Sequence, residues 1–481
     1  MVQEIFYYIL LIVHGIINLV AFYYLLKEGN KPYRIWAWMM TIFAIPAIGG
    51  ILFFVFGLNR KKNKLFNQKA LVDEQQIKTF LKEYATHIQP YQLEDTQINS
   101  RYGKLVRYLT NANKIPLAHH NKVTVLDDGE ETFRAIFKAC EAANHSIFIQ
   151  YYIFEHGTLA DRFLQLFKKK RAQGVTIKFL YDGLGSWSLK NSYRKKMTAA
   201  GIAVQAFLPV KLAALAKTNY RNHRKIIIID EKIAFTGGIN VDDKYINGDP
   251  ILGHWTDMHL QLEGMAVNFL KFVFHNDWYF ASGENLFTGN ALRPLGKIGK
   301  SPVQIVSSGP DSKFETILNE YLYLINHAER YVYIANPYLI PTQSLKEALQ
   351  ASALSGVDVR IIVPKNSDSL LVKWTVQSYF EPLLESGVKI YLFEPGFLHS
   401  KIILSDDLVY SIGTANLDIR SFEQNFEVNA LIYDADVTQK VRQRFIKYQQ
   451  SSTLVRFETF RQRGRLSRML ESLCRLLSPI T

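Results

Sequence analysis

The stretch Asn222-His223-Arg224-Lys225-Ile226-Ile227-Ile228-Ile229-Asp230 decides the fold of this chain. A second version follows as His399-Ser400-Lys401-Ile402-Ile403-Leu404-Ser405-Asp406. In both copies His is followed by Lys at +2, Asp at +7, Gly at +14, Asn at +17 and Asp at +19. One H-x-K-x4-D pattern is weak evidence, because these residue types are common at strand edges. Two copies that agree at six positions indicate an internal repeat.

Each copy runs from its Lys into a short series of aliphatic, mostly β-branched residues, which predicts a buried strand. Residues two apart share one face of a strand, so His223 and Lys225 point the same way, and so do His399 and Lys401. The Gly-rich segment after each strand suits a close approach of backbone to a bound group. The repeat therefore predicts two matching sets of polar side chains.

Asn240 and Asn416, the Asn at +17 in each copy, add amide donors to the two sets. Two imidazoles, two ammonium groups and two amides that converge would form an anion site, for which phosphate is the natural ligand. Imidazole has an ordinary pKa near 6.5, so it can act as nucleophile, acid or base at neutral pH. Side chains supply the positive charge, and no H-E-x-x-H motif or carboxylate cluster is present. We therefore expect no metal and no other cofactor.

These motifs resemble the phospholipase D superfamily, and the wider sequence resembles its bacterial cardiolipin synthases. The resemblance covers nearly the whole chain. It is carried by Asn416-Leu417-Asp418-Ile419-Arg420-Ser421-Phe422 with Asn425-Phe426-Glu427, by Thr218-Asn219-Tyr220-Arg221-Asn222-His223, by Val125-Leu126-Asp127-Asp128-Gly129-Glu130 and by the closing Arg475-Leu476-Leu477-Ser478-Pro479. The hydrophobic pair of segments at the N-terminus belongs to the same pattern.

The resemblance implies the following site residues. The catalytic motif residues are His223, Lys225, Asp230, His399, Lys401 and Asp406, and the phosphate ligands are Asn240 and Asn416. Glu427, at +28 from His399, matches the carboxylate that orients the histidine of the second half, but the +28 position of the first half is Ile251. Asp257 is the expected substitute there. Asp230 and Asp406 follow their strands directly, so they either serve the reaction or only hold a loop.

The two-histidine design implies a ping-pong reaction, in which one histidine attacks phosphorus and the other protonates the leaving alcohol. By family tendency His223 is the nucleophile and His399 the acid. Cardiolipin synthases of this type use one phosphatidylglycerol as donor and another as acceptor and release glycerol, so phosphatidylglycerol and cardiolipin are the expected lipid partners. The alternative is another phosphatidyltransferase or hydrolase of the superfamily, such as a phosphatidylserine synthase or a phospholipase D.

Composition sets broader bounds on the chain. Its 481 residues predict two or three domains. Its net charge of +14 suits nucleic acid or an anionic membrane. A nuclease of the superfamily has no need of membrane spans, so we expect no nucleic-acid partner. The two cysteines, Cys140 and Cys474, are too few for a disulfide framework. Nothing in the composition indicates an oligomeric state.

Two apolar runs near the N-terminus predict transmembrane helices. Ile5 to Leu26 spans 22 residues and Ile35 to Leu58 spans 24, and neither contains a charge. At about 1.5 Å per residue, each can cross a hydrocarbon core of roughly 30 Å. Gly49 and Gly50 would let the two helices pack closely. Basic residues follow the second run at 60, 61, 62 and 64. The positive-inside rule therefore favours a cytoplasmic catalytic body, and the family resemblance implies that the membrane is the bacterial plasma membrane.

The rest of the chain alternates strand-like and helix-like segments twice, which predicts α/β layers. With the family resemblance, this indicates two pseudo-twofold-related phospholipase D-like α/β halves with mixed sheets, preceded by two transmembrane helices. The expected boundaries are an anchor at 1–64, a linker and lead-in at 65–119, halves at 120–295 and 296–450, and a basic amphipathic helix at 451–481. Tyr152 and Tyr338, near the ends of the first strands, either line the pocket or pack at a strand end.

The C-terminal stretch places six apolar residues on one helical side, with four arginines among or opposite them. The apolar residues are Leu466, Met469, Leu470, Leu473, Leu476 and Leu477, and the arginines are Arg463, Arg465, Arg468 and Arg475. A basic amphipathic helix can lie on an anionic bilayer. It can equally pack on its own domain with a solvated basic face, and the pattern alone does not choose between the two.

Overall fold

The computed structural model describes residues 2–27, 32–44, 49–53, 66, 69–79, 96–209, 219–287, 296–476 and 478. The chain forms two compact units, one of residues 1–72 with 211–218 and one of residues 73–210 with 219–481. Some predicted features lie outside the described residues. They are the basic residues between 60 and 64, parts of the second apolar run, residues 80–95 of the linker and Leu477.

The described residues of the N-terminal unit include the helices α1 (Val2–Lys27), α2 (Pro32–Ala44) and α3 (Gly49–Leu52). Ala21, Leu25, Ile42 and Phe53 form its buried cluster. A Cβ atom at Gly50 would overlap the side chain of Ile17 on α1, so glycine is what permits this close helix contact. Across the described ranges, no helix meets the combined requirement of length and apolarity for crossing a bilayer. The two predicted transmembrane helices are therefore not confirmed.

The larger unit is built on one mixed sheet of 15 strands. The strands of the unit are β1 Ala118–Leu126, β2 Ser146–Tyr151, β3 Thr176–Asp182, β4 Ala203–Phe207, β5 Ile226–Ile229, β6 Ile233–Gly237, β7 His254–Thr256, β8 His259–Glu263, β9 Ser301–Ser308, β10 Tyr331–Ala335, β11 Leu339–Ile340, β12 Asp358–Pro364, β13 Lys389–Phe393, β14 Gly396–Leu398, β15 Ile402–Ser405, β16 Val409–Gly413, β17 Leu417–Asp418, β18 Glu427–Ile432 and β19 Ser452–Leu454. Two small parallel pairs, β11–β17 and β7–β14, complete the strands.

The strand order of the large sheet repeats about its centre. It runs β19-β13-β12-β10-β15-β16-β18-β9-β1-β8-β6-β5-β2-β3-β4. On the two sides of the antiparallel β1–β9 pair, the strands of the two halves correspond one to one, in the same order outward, and β19 is an additional edge strand. In each half three strands are parallel, β2, β3 and β4 in the first and β10, β12 and β13 in the second, and the strand that begins the repeated motif runs antiparallel to them. The α/β fold with a mixed sheet is therefore confirmed, and the halves share one sheet.

Helices connect the strands. Those described before the second half are α4 at 69–79, α5 Thr96–Asn113, α6 Gly129–Glu141, α7 Thr158–Ala172, α8 Asn191–Ala199, α9 Lys244–Asn247 and α10 Ala266–Ser282. The later ones are α11 Thr316–Asn326, α12 Gln343–Leu354, α13 Leu370–Gln377, α14 Phe380–Glu385, α15 Ile419–Glu423, α16 Ala435–Gln450, α17 Phe457–Arg461 and α18 Arg465–Arg475. Local sequence explains their ends. For example, the N-cap residue of α6, Asp128, accepts from the N–H of Glu131, and the carboxylate of Glu131 accepts from the N–H of Asp127. Each half buries its own apolar cluster.

Two predicted segment assignments differ from the structure. The linker predicted at 65–119, with one or two helices, does contain a helix, but this helix, α5, buries Tyr102, Leu105 and Leu109 in the core of the second half. The polar residues that suggested a linker lie on the other face of this amphipathic helix. The region from 451 is not one helix, because β19 first pairs with β13 at the sheet edge and α17 and α18 follow.

Candidate active site

The histidines and lysines of the repeated motifs lie at the carboxyl edge of the parallel strands. On β5, Ile226 pairs with Gln150 near the end of β2, and Ile229 pairs with Ile147 near its start. His223 and Lys225 precede Ile226, so they lie at the edge where β2 ends. In the second half β15 pairs with β10 in the same way. Open α/β sheets bind ligands at this edge, where loops rather than strands surround the ligand.

Each motif histidine is bound through its backbone to the other half. The N–H of His223 donates to the carbonyl of Phe426 (2.9 Å), and the N–H of His399 donates to the carbonyl of Thr256 (2.8 Å). Phe426 and Thr256 each precede one of the predicted orienting carboxylates. The parallel β7–β14 pair and an isolated parallel bridge between Asn222 and Phe426 provide the same arrangement twice. The two halves thus meet at the histidines.

The carboxylate partners are exchanged between the halves. Both carboxylate oxygens of Glu427 lie 3.0 Å from Nδ1 of His223, and Oδ2 of Asp257 lies 2.7 Å from Nδ1 of His399. The sequence prediction found the two carboxylates but assigned each to the histidine of its own half, so that pairing is wrong. The physical reason is the parallel pairing just described, which places each carboxylate next to the histidine across the seam.

The two histidine–carboxylate pairs differ electrostatically. Burial lowers the pKa of His223 to about 4, so its imidazole is uncharged at neutral pH. Burial acts to raise the pKa of Glu427, but His223 and Lys225 outweigh it and hold that pKa below the ordinary value. Burial raises the pKa of Asp257 to about 7, against the opposing charge of Lys401. Glu427 is therefore the firmly ionised partner of the two.

The two motif lysines are buried beside their histidines. Nζ of Lys225 donates to the carbonyl of His223 (2.7 Å), and Nζ of Lys401 lies 3.0 Å from Nε2 of His399. Burial lowers the pKa of Lys401 to about 8 and that of Lys225 well below its ordinary value. Buried ammonium groups are costly without counter-charge, so a phosphate anion here would be strongly favoured. Among the described residues, none hydrogen-bonds Nε2 of His223.

The two asparagines are buried near the site in different settings. Asn240 accepts from the N–H of Ile153 (3.3 Å) and donates to the hydroxyl of Tyr245 (3.4 Å). Oδ1 of Asn416 is buried and has no hydrogen-bond partner within the described ranges. Phosphate binding by these amides stays a prediction. Likewise, the described residues include no group of three or more His, Cys, Asp or Glu arranged to hold a metal ion, and a metal-free reaction stays a prediction.

Asp230 and Asp406 lie at the opposite edge of the sheet. Asp230 accepts from the N–H groups of Asn144, His145 and Ser146, and Asp406 accepts from the N–H groups of 329, 330 and 331. Both aspartates have positive φ, 51° and 55°, in three-residue hairpin loops, a conformation that Asp tolerates. Five residue steps along the chain, with a strand of four residues between, separate each from its motif lysine, roughly 16 Å. Their assignment as catalytic residues is therefore wrong, and they hold loops.

We expect Asp230→Ala to reduce stability and to leave the chemistry of the folded enzyme nearly intact. The change removes the acceptor of three backbone N–H groups, which should cost about 2–4 kcal/mol of unfolding free energy. Thermal unfolding in detergent and the rate per folded molecule would be measured beside Lys232→Ala, which changes an exposed residue of the same turn. A rate loss above about 100-fold with unchanged unfolding would contradict the structural role, because it is the loss typical of an acid–base residue.

Two tyrosines contact the histidines, and only Tyr245 was not named from the sequence. The ring of Tyr152 packs edge-on against His223 with centroids 4.7 Å apart, so of the two roles left open it takes a place at the site. The hydroxyl of Tyr245 lies 3.1 Å from Nδ1 of His399. Tyr245 is at +22 in its copy, where the second copy has Ser421. This difference between the two copies was the signal in the sequence that could have pointed to Tyr245.

Arg224 and Thr414 support the Glu427–His223 pair. Arg224 lies between His223 and Lys225, so it points to the opposite face, where it donates to Asp277 (2.7 Å) and to the carbonyl of Glu427 (3.1 Å). The hydroxyl of Thr414 donates to the Glu427 carboxylate (2.5 Å). At the equivalent position Gly238, a Cβ would overlap the carboxylate of Asp257. The period of two predicts the direction of Arg224 but not its partners.

Comparison with known proteins agrees with this geometry. Residues 136–250 and 321–448 match the family described as cardiolipin synthase, PLD-like domain, and residues 16–57 match the phospholipase D-nuclease N-terminal family. The chain is 41% identical over 456 residues to a cardiolipin synthase of Geobacillus sp. (strain WCH70), covering 94% of this chain and 90% of that one. It is 37% identical over 483 residues to the major cardiolipin synthase of Bacillus subtilis (strain 168), covering 98% and 99%.

A solved structure shares the fold. The crystal structure of a phosphatidylserine synthase from Haemophilus influenzae superimposes with a TM-score of 0.59 at 14% identity, covering 79% of this chain and 100% of that one. At this identity the likeness concerns the fold alone. It agrees with a larger unit made of two similar α/β halves.

Proposed function

The chain belongs to the cardiolipin synthase family of phospholipase D-like phosphatidyltransferases, and we propose that it transfers a phosphatidyl group between two phosphatidylglycerol molecules through a phosphatidyl-histidine. The observation that carries the proposal is the pair of histidines, each bound through Nδ1 to a carboxylate of the other half, beside two buried lysines. This arrangement suits a phosphodiester, because the lysines supply positive charge and the histidines supply nucleophile and acid.

In the first step, Nε2 of His223 attacks the phosphorus of the donor. The phosphorus–oxygen bond to glycerol breaks, and Nε2–H of His399 gives its proton to the leaving glycerol oxygen. Nδ1–H of His223 donates to Glu427, whose negative charge stabilises the imidazolium that the new P–N bond creates. The phosphodiester anion favours the charged forms of the nearby lysines and of His399, which burial otherwise disfavours.

In the second step, the hydroxyl of a second phosphatidylglycerol attacks the phosphorus. His399, now uncharged, accepts the proton of this hydroxyl, and the P–N bond breaks to return His223. The products are one cardiolipin and one glycerol for two phosphatidylglycerols. If water takes the place of the acceptor, the same steps give phosphatidic acid, which defines the hydrolytic alternative.

Two observations favour His223 as the nucleophile. Its Nε2 has no hydrogen-bond partner among the described residues, whereas Nε2 of His399 lies 3.0 Å from Nζ of Lys401. Its carboxylate is the more firmly ionised of the two, since the pKa of Glu427 is below and that of Asp257 above its ordinary value. An uncharged imidazole with an open nitrogen and an ionised partner is the better nucleophile.

Purified protein in detergent micelles, with phosphatidylglycerol as the only phospholipid, should yield cardiolipin and glycerol in equal amounts. Lipid chromatography and an enzymatic glycerol assay would measure both. Phosphatidic acid as the main product would instead identify a hydrolase. In a parallel sample freed of metals by a chelator, we expect most of the rate to remain, because lysines supply the charge. Restoration of a lost rate by one equivalent of a divalent ion would contradict that expectation.

We also propose that residues 1–64 hold the enzyme in the bacterial plasma membrane with its catalytic body on the cytoplasmic side. The support is the uncharged run from 35 to 58 followed by four basic residues, together with the N-terminal family match at 16–57. The full-length chain should stay with membranes during alkaline extraction. Its body should resist protease added to intact protoplasts, and cleavage there would place it outside.

A further inference from the structure

Helix α18 turns a polar face toward the body. The carboxylate of Glu471 is 3% exposed on its side chain and lies 2.7 Å from Arg463, which also lies 2.6 Å from Glu381 on α14. The carbonyl of Cys474 accepts from the hydroxyl of Thr375 on α13 (3.2 Å). These contacts fix the rotation of the helix on the body.

The apolar side of the same helix is turned outward. Leu466, Met469, Leu473 and Leu476 are 66%, 53%, 52% and 76% exposed. Their spacing places them along one stripe of the helix, which we call the outer stripe. A surface helix normally buries its apolar stripe in the core. Here ion pairs and hydrogen bonds make the attachment, and four large apolar side chains remain in contact with solvent.

Exposed arginines lie beside the outer stripe. Arg465, Arg468 and Arg475 are all exposed, and the acid of this helix, Glu471, is buried against Arg463. An apolar stripe next to a basic stripe is the pattern of a helix that lies in the headgroup region of a membrane. Positive charge of this density is complementary to an anionic lipid surface and not to a neutral protein surface.

We propose that α18 docks the body on the surface of an anionic phospholipid bilayer. The outer stripe enters the headgroup region, and Arg465 and Arg468 contact lipid phosphates, while Arg475 lies over the ring of Tyr379 on the body. Helix α13, against which α18 packs, begins two residues after Asp368, and the charge of Asp368 acts on the pKa of Lys401. Docking would therefore hold the neighbourhood of the active site near the membrane. The inference rests on the proposed function only in the choice of anionic lipid as the partner.

The test places a fluorescent probe at Ser472→Cys, on the exposed side of α18, in a full-length Cys474→Ser background. The matched control probe is at Ser355→Cys, an exposed serine that follows α12. The protein is reconstituted into nanodiscs of phosphatidylcholine with or without phosphatidylserine, and doxyl lipids serve as quenchers. Phosphatidylserine is not the proposed substrate, so the reading does not depend on turnover. We expect strong quenching at 472 in the anionic discs and little at 355.

Substitutions then separate the two stripes. Leu466→Ser with Leu473→Ser should reduce quenching at 472 to the level of the control probe, whereas Leu354→Ser, at a residue 73% exposed on α12, should leave it unchanged. Arg465→Gln with Arg468→Gln should weaken docking roughly 25-fold, because each arginine near an anionic surface contributes roughly five-fold. Turnover in micelles should survive all of these changes and would show that the variants fold.

Three results would overturn the proposal. The first is equal quenching at both probes. The second is quenching at 472 that Leu466→Ser with Leu473→Ser does not reduce. The third is protection of the 472 probe that increases with the number of protein molecules per disc and is not accompanied by lipid quenching. The last would identify a second copy of the chain as the occupant. A loss of turnover with phosphatidylglycerol while lipid quenching persists would count against the proposed function and leave the docking surface standing.

Discussion

Replacing either motif histidine with alanine should lower cardiolipin formation by at least about 10⁴-fold. One change removes the nucleophile and the other removes the proton donor, and neither histidine completes the reaction without the other. The two variants should nevertheless differ in what accumulates. With phosphatidyl-p-nitrophenol as donor, the leaving group needs no proton. His399→Ala should then release one equivalent of nitrophenol in a burst and hold a phosphatidyl group on His223. His223→Ala should show no burst.

Peptide mapping of the acid-quenched reaction would locate the adduct. His327→Ala, at an exposed histidine that follows α11, is the matched control and should behave as wild type. An adduct on His399 in the wild-type protein would reverse the assignment and keep the ping-pong route. A full rate in either histidine variant would exclude the proposed chemistry altogether.

The repeat makes the catalytic groups predictable from the amino-acid sequence. Its spacing depends on one strand, and the period of two along a strand sets side-chain direction locally. The positions of His223, Lys225, His399 and Lys401 at one edge follow from that rule. The presence of two similar halves is also predictable, because the second half repeats the segments of the first.

What could not be predicted depends on contacts between distant segments. The +28 spacing of Glu427 from His399 suggested a local pair, but hydrogen bonds from His223 to Phe426 and from His399 to Thr256 cross the seam. Asp230 illustrates a different failure, because equal spacing in the two copies does not distinguish a turn residue from a reacting one. Its three backbone donors reveal its role.

The second prediction with a large effect concerns Glu427 and Asp257, the carboxylates that each bind a histidine of the other half. Glu427→Gln should lower turnover by roughly 10²–10⁴-fold, since a glutamine can accept from His223 but cannot stabilise the imidazolium. Asp257→Asn should cause a loss of similar size through His399. Thr414→Val removes one hydrogen bond to Glu427 and leaves its carboxylate ionised. We expect this matched variant to lose only about ten-fold in turnover.

The activated donor separates the crossed arrangement from pairing within each half. If Glu427 serves His223, Glu427→Gln should abolish the nitrophenol burst, whereas Asp257→Asn should keep it and fail only in the second step. Pairing within each half predicts the reverse. The pH profile gives an independent reading, because burial raises the pKa of Asp257 to about 7 and only its ionised form supports a charged His399. Wild-type turnover should therefore fall as the pH drops through 7, and Asp257→Asn should lack that decline. A burst that survives Glu427→Gln but not Asp257→Asn would mean that the bonds across the seam are not those that serve the reaction.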